Sequence, residues 1–213
     1  FYPVYCGLYG IEFSKVPLAD DYSLDLEGYR RANGGIIFPN PNAPTGRLLG
    51  LDAIKALLQD NRDSVVVVDE AYIDFAEAGS SAVSLIDQYY NLLVVQTMSK
   101  SRSLAGMRIG YAMGSKVLIE GLERIKNSFN SYPLGHVQLA AAIASFNDPD
   151  YFAAMREKVI SSREWIVEQL KVLGFDVLPS SANFVLARHS DQNGLALTQS
   201  LRDKNIIIRH FNK

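Results

Sequence analysis

Three apolar runs constrain the fold of this chain more than anything else in it: Ile36-Ile37-Phe38, Val65-Val66-Val67-Val68 and Leu92-Leu93-Val94-Val95. Each is short, rich in β-branched residues and ends abruptly in polar groups, the signature of a strand and not of a helix. The second has no apolar–polar alternation, which is expected of a strand covered by helices on both faces. Between the first two, residues 51–59 place Leu51, Ile54, Leu57 and Leu58 at helical spacing with Asp52 and Lys55 opposite, so a crossover helix is predicted there. Strands at 36–39, 64–69 and 92–97 alternating with helical windows predict an α/β domain with a mostly parallel sheet. A fourth strand, 107–113, follows too soon after Lys100 for a helical crossover and is expected to run antiparallel. Ser115 then opens a helix to residue 129.

From Leu134 the pattern turns helical, with helices at 139–146 and 151–173 and Gly174 as the stop signal. Segments 175–178 and 183–187, a helix at 195–204 and a strand at 206–209 predict part of a small α+β lobe. The expected division is a partial large domain over 1–145, then a connecting helix and partial small domain over 146–213. The chain starts with Phe1 in what reads as a loop and stops at Lys213 with no covering helix, so it is expected to be a fragment.

Composition narrows the function. With 48% hydrophobic residues, 21% charged ones and a net charge of -2 without a basic stripe, the chain is not built to hold nucleic acid. Its single cysteine, Cys6, cannot pair within the chain, which fits a reducing compartment, and the cytoplasm is the expected location. No apolar stretch is long enough to span a bilayer. His136, His189 and His210 are too scattered for metal-ligand spacing, so no metal is expected. The Asp69-Glu70 end of the second strand also fits a nucleotide triphosphatase, but the chain contains no Gly-Lys dipeptide and hence no phosphate loop of that kind.

In open α/β sheets ligands lie at the carboxyl ends of the strands, where 40–46, 69–72 and 97–100 should converge. A carboxylate, a phenol, an amine, two hydroxyls and a guanidinium form a peculiar set, and pyridoxal phosphate is the one ligand that needs all of them. Its ring nitrogen wants an anionic partner, its aldehyde a lysine, and its phosphate hydroxyls with an arginine. Asp69, then Lys100, then Thr97 and Ser99 with Arg108 match in that order, and Tyr72 could reach the ring hydroxyl.

Pro39-Asn40-Pro41-Asn42-Ala43-Pro44-Thr45-Gly46, Asp69-Glu70-Ala71-Tyr72, Thr97-Met98-Ser99-Lys100 and Leu104-Ala105-Gly106-Met107-Arg108 resemble, in order, the motifs of the fold type I, class II aminotransferases. The resemblance continues through Ser181-Ala182-Asn183-Phe184 and Asn205-Ile206-Ile207-Ile208-Arg209, and it is strongest to the histidinol-phosphate branch of that family. It implies a homodimeric enzyme of histidine biosynthesis that moves an amino group between histidinol phosphate and 2-oxoglutarate through a pyridoxal phosphate Schiff base on Lys100. It further implies that Lys100 shuttles the proton, which requires its amine to be lowered from a free value near ~10.4. Asp69 would hold the ring nitrogen, Arg108 the cofactor phosphate and Arg209 the substrate phosphate, with Asn183 on the substrate side of the pocket. Replacing Asp69 with alanine should impair chemistry more than binding. Ala43 departs from the family pattern, which has an asparagine donating to the ring oxygen, so Asn42, Asn40 or Tyr72 alone must supply that bond. The family's upstream phosphate cup and stacking aromatic would lie outside the chain, and Tyr2 and Tyr5 receive no role. A phosphothreonine decarboxylase, an aromatic aminotransferase or a non-catalytic module of the same fold could share these motifs.

Overall fold

The structure, a computed structural model, describes residues 1–211. Its centre is a four-stranded sheet in the order β1 (Gly35–Pro39), β2 (Val65–Asp69), β3 (Leu92–Thr97) and β4 (Gly110–Gly114). The first three strands are parallel and β4 runs antiparallel to β3, as the short connection requires. Pro39 stands opposite Asp69, Asp69 opposite Val95, and Thr97 opposite Gly110, so the ends of three strands and the start of the fourth meet on one edge.

Helix α2 (Leu51–Asp60) is the predicted crossover and packs Ile54, Leu57 and Leu58 onto Ile36, Phe38, Val66, Val68, Leu92 and Val94. Each fully buried aliphatic side chain there contributes roughly 1.5–3 kcal/mol. The turn Ala82–Leu85 closes the same face. Burial along β2 alternates, however, and Ile37 on β1 is 43% exposed, so the expectation of equal cover on both faces is corrected. Side chains of a strand alternate between faces, and α2 with the 82–85 turn reaches only one of them. Asn91 ties this layer from below, its Nδ2 donating to the carbonyls of Leu58, Asn61 and Ser64.

After β4 come α3 (Lys116–Phe129), α4 (His136–Phe146) and the long α5 (Pro149–Val172), which Asp148 caps by accepting from the Tyr151 amide. Gly174 follows α5 at φ +85°, the left-handed stop that the sequence predicts. Strands β5 (Phe175–Val177) and β6 (Ala187–His189) pair antiparallel, and α6 (Gly194–Arg202) follows. Three expectations need correction. The start of the chain is not a loop but a helix, α1 (Tyr2–Leu8), with Pro3 in its first turn, where a missing amide hydrogen costs nothing. Residues 183–186 precede β6 and do not form it, and residues 206–209 are not a strand, because the β5–β6 ladder takes up no third edge. Among the described residues no helix is long and apolar enough to cross a membrane.

Candidate active site

Asp69 ends β2 and Lys100 lies three residues past β3, so both project from the converging edge. The Asp69 carboxylate is fixed at both oxygens: Oδ1 accepts the Ala71 amide at 3.1 Å and Oδ2 accepts the Tyr2 hydroxyl at 2.6 Å. Burial, the bond to Asp69 and that carboxylate's charge push the Tyr2 phenol far above its ordinary value, which keeps it a donor. Tyr72, close enough to add to the same shift, carries the exposed Lys100 Nζ 5.3 Å from its ring centroid. Asp69 and Lys100 therefore face one region of the molecule, bridged by Tyr72.

The turns holding these groups are tied together. Ser101, next to Lys100, donates to the Asp74 carboxylate in the turn that follows Tyr72. Arg102 anchors the other side: its guanidinium lies 4.3 Å and 4.1 Å from the ring centroids of Phe146 and Phe152 and donates to the Ser145 carbonyl. Beneath them Glu70 is buried, with 1% of its surface exposed, and accepts from the Ser81 hydroxyl, the Ala82 amide and the Gln96 side-chain amide. Burial pushes the Glu70 carboxyl above its usual range, against the pull of those three donors. Tyr111 donates to the other end of Gln96.

The hydroxyls of Thr97 and Ser99 are 2.9 Å apart, and the Ser99 amide donates to the Thr97 oxygen. The Thr97 hydroxyl also meets the Ile109 carbonyl at 3.1 Å, and Arg108, two residues before β4, is exposed in the left-handed conformation, φ 55°, with Nη1 on the Ala105 carbonyl. The bonds of Asn40 and Asn42 bear on the alternatives left by Ala43. Asn40 is fully used, accepting from the Leu49 amide and donating to the Leu49 carbonyl, and it is buried to 1%. Asn42 gives Oδ1 to the Thr45 hydroxyl at 2.9 Å, which leaves Nδ2 as its donor.

The segment 180–184 reaches the same edge. The Ser181 amide donates to the Gly46 carbonyl, and the Phe184 ring meets Tyr72 edge-on at 5.0 Å. Asn183 beside it lines a hollow of about 280 Å³ against α5, with Lys158 and Arg163. Arg209 lies apart, exposed, with its guanidinium 5.7 Å from the Phe211 ring centroid. The structure thus brings Asn42, Asp69, Tyr72, Thr97, Ser99, Lys100 and Arg108 to one edge, sets Asn183 at its rim and does not bring Arg209 into it. Sequence reading missed Tyr2, Glu70, Gln96 and Arg102 as supports; no periodic signal marks a partner 67 residues away, as Tyr2 and Asp69 are.

The description "Aminotransferase class I and II" matches residues 1–213. Histidinol-phosphate aminotransferase 2 of Dechloromonas aromatica is 59% identical over 212 residues, 99% of this chain and 59% of that protein. The chain thus spans about three fifths of the length of the curated relatives it matches. Among solved structures, the histidinol-phosphate aminotransferase of Clostridium acetobutylicum superposes with a TM-score of 0.91 at 27% identity, covering 98% of this chain and 64% of that one. The Sinorhizobium meliloti histidinol-phosphate aminotransferase, in complex with pyridoxal-5'-phosphate, gives 0.86 at 27% identity over 98% of this chain and 58% of that one.

Proposed function

Because the chain belongs to the aminotransferase class I and II family, we propose that its full-length protein is a pyridoxal-phosphate aminotransferase moving an amino group between histidinol phosphate and 2-oxoglutarate in histidine biosynthesis. The observation that carries the reading is the Lys100 amine set 5.3 Å from the Tyr72 ring at the edge where Tyr2 and Ala71 fix the Asp69 carboxylate. The donor set fits the cofactor in kind: a carboxylate, an amine, a phenol, a hydroxyl pair and a guanidinium at one sheet edge. When bound, pyridoxal phosphate supplies an aldehyde for lysine and a ring that withdraws electrons from the substrate carbon.

Each residue then has a task. Asp69, immobilised at both oxygens, holds a positive charge on the ring nitrogen. Lys100 tethers the cofactor and carries the proton between substrate carbon and cofactor carbon; its exposed position lets it swing between them. The Tyr72 hydroxyl and Asn42 Nδ2 orient the ring oxygen. Thr97, Ser99 and Arg108 take the cofactor phosphate. Asn183 belongs to the substrate side, and Arg209, which the structure does not bring to this edge, is assigned the substrate phosphate on the resemblance of residues 205–209 to the family. A homodimer in the cytoplasm completes the reading; the single cysteine fits a reducing compartment.

The test adds pyridoxal phosphate to the full-length protein, records the long-wavelength absorbance of a lysine-bound cofactor and maps the mass fixed by borohydride. That mass is expected on Lys100, and an unchanged spectrum in Lys100→Ala overturns the mechanism. Histidinol phosphate, phosphothreonine and phenylalanine are then compared as amino donors. Equal rates with phenylalanine remove the phosphate-specific part, and release of carbon dioxide from phosphothreonine replaces transamination by decarboxylation.

A further inference from the structure

Arg163 is a cation that has been taken almost out of water. Its side chain is 11% exposed, while that of its ion-pair partner Glu164, at 2.8 Å, is 59% exposed. Removing a guanidinium from solvent is costly, and an apolar side chain would fill the same space at less cost, so its donors need an explanation. Nε and Nη2 face the Glu164 carboxylate, and the remaining nitrogen is spent on main chain. Nη1 donates to the Phe75 carbonyl at 3.1 Å and to the Ala182 carbonyl at 3.0 Å. Phe75 closes the turn that begins immediately after Tyr72, and Ala182 immediately precedes Asn183 and Phe184. The two backbone segments held by one nitrogen are thus those whose rings, Tyr72 and Phe184, meet edge-on beside Lys100.

Helix α5 repeats the device once more on the same face. Arg156, seven residues earlier and so two turns back, donates from Nε to the Asp74 carbonyl and from Nη2 to the Ala76 carbonyl at 2.7 Å. Arg156 therefore holds only the Tyr72 turn, whereas Arg163 holds that turn and the 181–184 segment together. The far segment is also gripped at Gly46, whose carbonyl accepts the Ser181 amide. We propose that Arg163 is a positioning residue: its guanidinium locks the turn carrying Tyr72 to the segment carrying Asn183 and Phe184, so that the cofactor-facing and substrate-facing walls of the site hold one alignment. The consequence for turnover rests on the aminotransferase reading above; the mechanical coupling does not.

Two measurements on the full-length protein separate these. Amide hydrogen exchange of the protein without cofactor reads the coupling: Arg163→Lys, one bond shorter and without the planar fork, should speed exchange at Ala76 and at Ser181 and Ala182 together, by about fivefold or more, with β2 and β3 unchanged. Arg156→Lys should speed it at Ala76 alone. Loosening of only one segment in Arg163→Lys overturns the proposal. Glu164→Gln keeps the fold whatever Arg163→Lys does, because that carboxylate is mostly in water; it should loosen both segments to a smaller degree, and no change in either overturns the proposal. In the loaded enzyme, Arg163→Lys should raise KM for the amino donor about tenfold and change kcat less than about threefold, with cofactor absorbance intact. A loss of thermal stability with KM unchanged makes Arg163 merely structural. Absence of any turnover in the unaltered protein defeats the functional reading and leaves the exchange result standing.

Discussion

Replacing Glu70 offers the sharpest measurement on the support of the site. Its carboxylate accepts three donors, the Ser81 hydroxyl at 2.6 Å, the Ala82 amide at 2.7 Å and the Gln96 side-chain amide at 2.8 Å, with 1% of its surface exposed. Glu70→Ala leaves the Ala82 amide, on a fully buried residue, and the Gln96 amide without an acceptor, while Ser81 can turn to water. At roughly 1–3 kcal/mol for each stranded donor, and with a cavity added, the loss should be about 3–5 kcal/mol. Glu70→Gln preserves volume and one good acceptor but turns an amide NH2 toward a donor, which should cost about 1–2 kcal/mol. The pH dependence follows from the direction of the shift. The folded-state value lies above the unfolded one because burial disfavours the charge, so the contribution is full below about pH 4.3 and declines as pH rises through the folded value. Urea unfolding of the full-length protein at a series of pH values rising from about 4.3 should therefore show a falling difference between wild type and Glu70→Gln. If Glu70→Ala costs less than about 1 kcal/mol, or glutamine costs as much as alanine, the accounting by stranded donors is wrong.

Gly46 sits at φ +76° with the Ser180 Cα only 3.1 Å from where a Cβ would be, so Gly46→Ala should cost about 2–3 kcal/mol in denaturant unfolding. Asn91→Ala frees three buried carbonyls and should cost a similar ~2–3 kcal/mol, yet leave cofactor affinity unchanged, since the residue lies at the opposite end of β3 from Lys100. Arg108 holds φ 55°, so Arg108→Gly should be more stable than Arg108→Ala by about 1 kcal/mol, with cofactor affinity, measured by absorbance titration, falling equally in both.

What the sequence made legible was what local physics decides. Unbroken apolar runs and the period of residues 51–59 were enough for β1 to β3 and α2, and the short link after Lys100 was enough for an antiparallel β4. The chemistry-bearing positions were legible because polar residues ending apolar strands have to meet at one edge. The rest depends on partners far apart along the chain. Arg163 reaches a carbonyl 88 residues away, Arg156 one 82 residues away and Tyr2 a carboxylate 67 residues away, and none of these leaves a pattern in its own neighbourhood. Residues 206–209 fail for the complementary reason: β-branched side chains favour extension, but a strand exists only where another edge accepts its hydrogen bonds.

On the proposed function, the mixed sheet is what assembles the site. Parallel strands deliver only their carboxyl ends to the edge, and three of them supply Asn42, Asp69 and the 97–100 group in sequence order. A fourth parallel strand would need a dozen or more residues of crossover and would carry its first residues to the opposite edge. By turning back antiparallel, β4 begins where β3 ends, with Gly110 opposite Thr97, and brings the Ile109 carbonyl, next to Arg108, onto the Thr97 hydroxyl. The left-handed conformation of Arg108 is what makes so tight a return possible. A non-glycine residue in that conformation carries a strain of about 1 kcal/mol, so glycine would serve the backbone better, and on the proposed function the guanidinium is what arginine adds there.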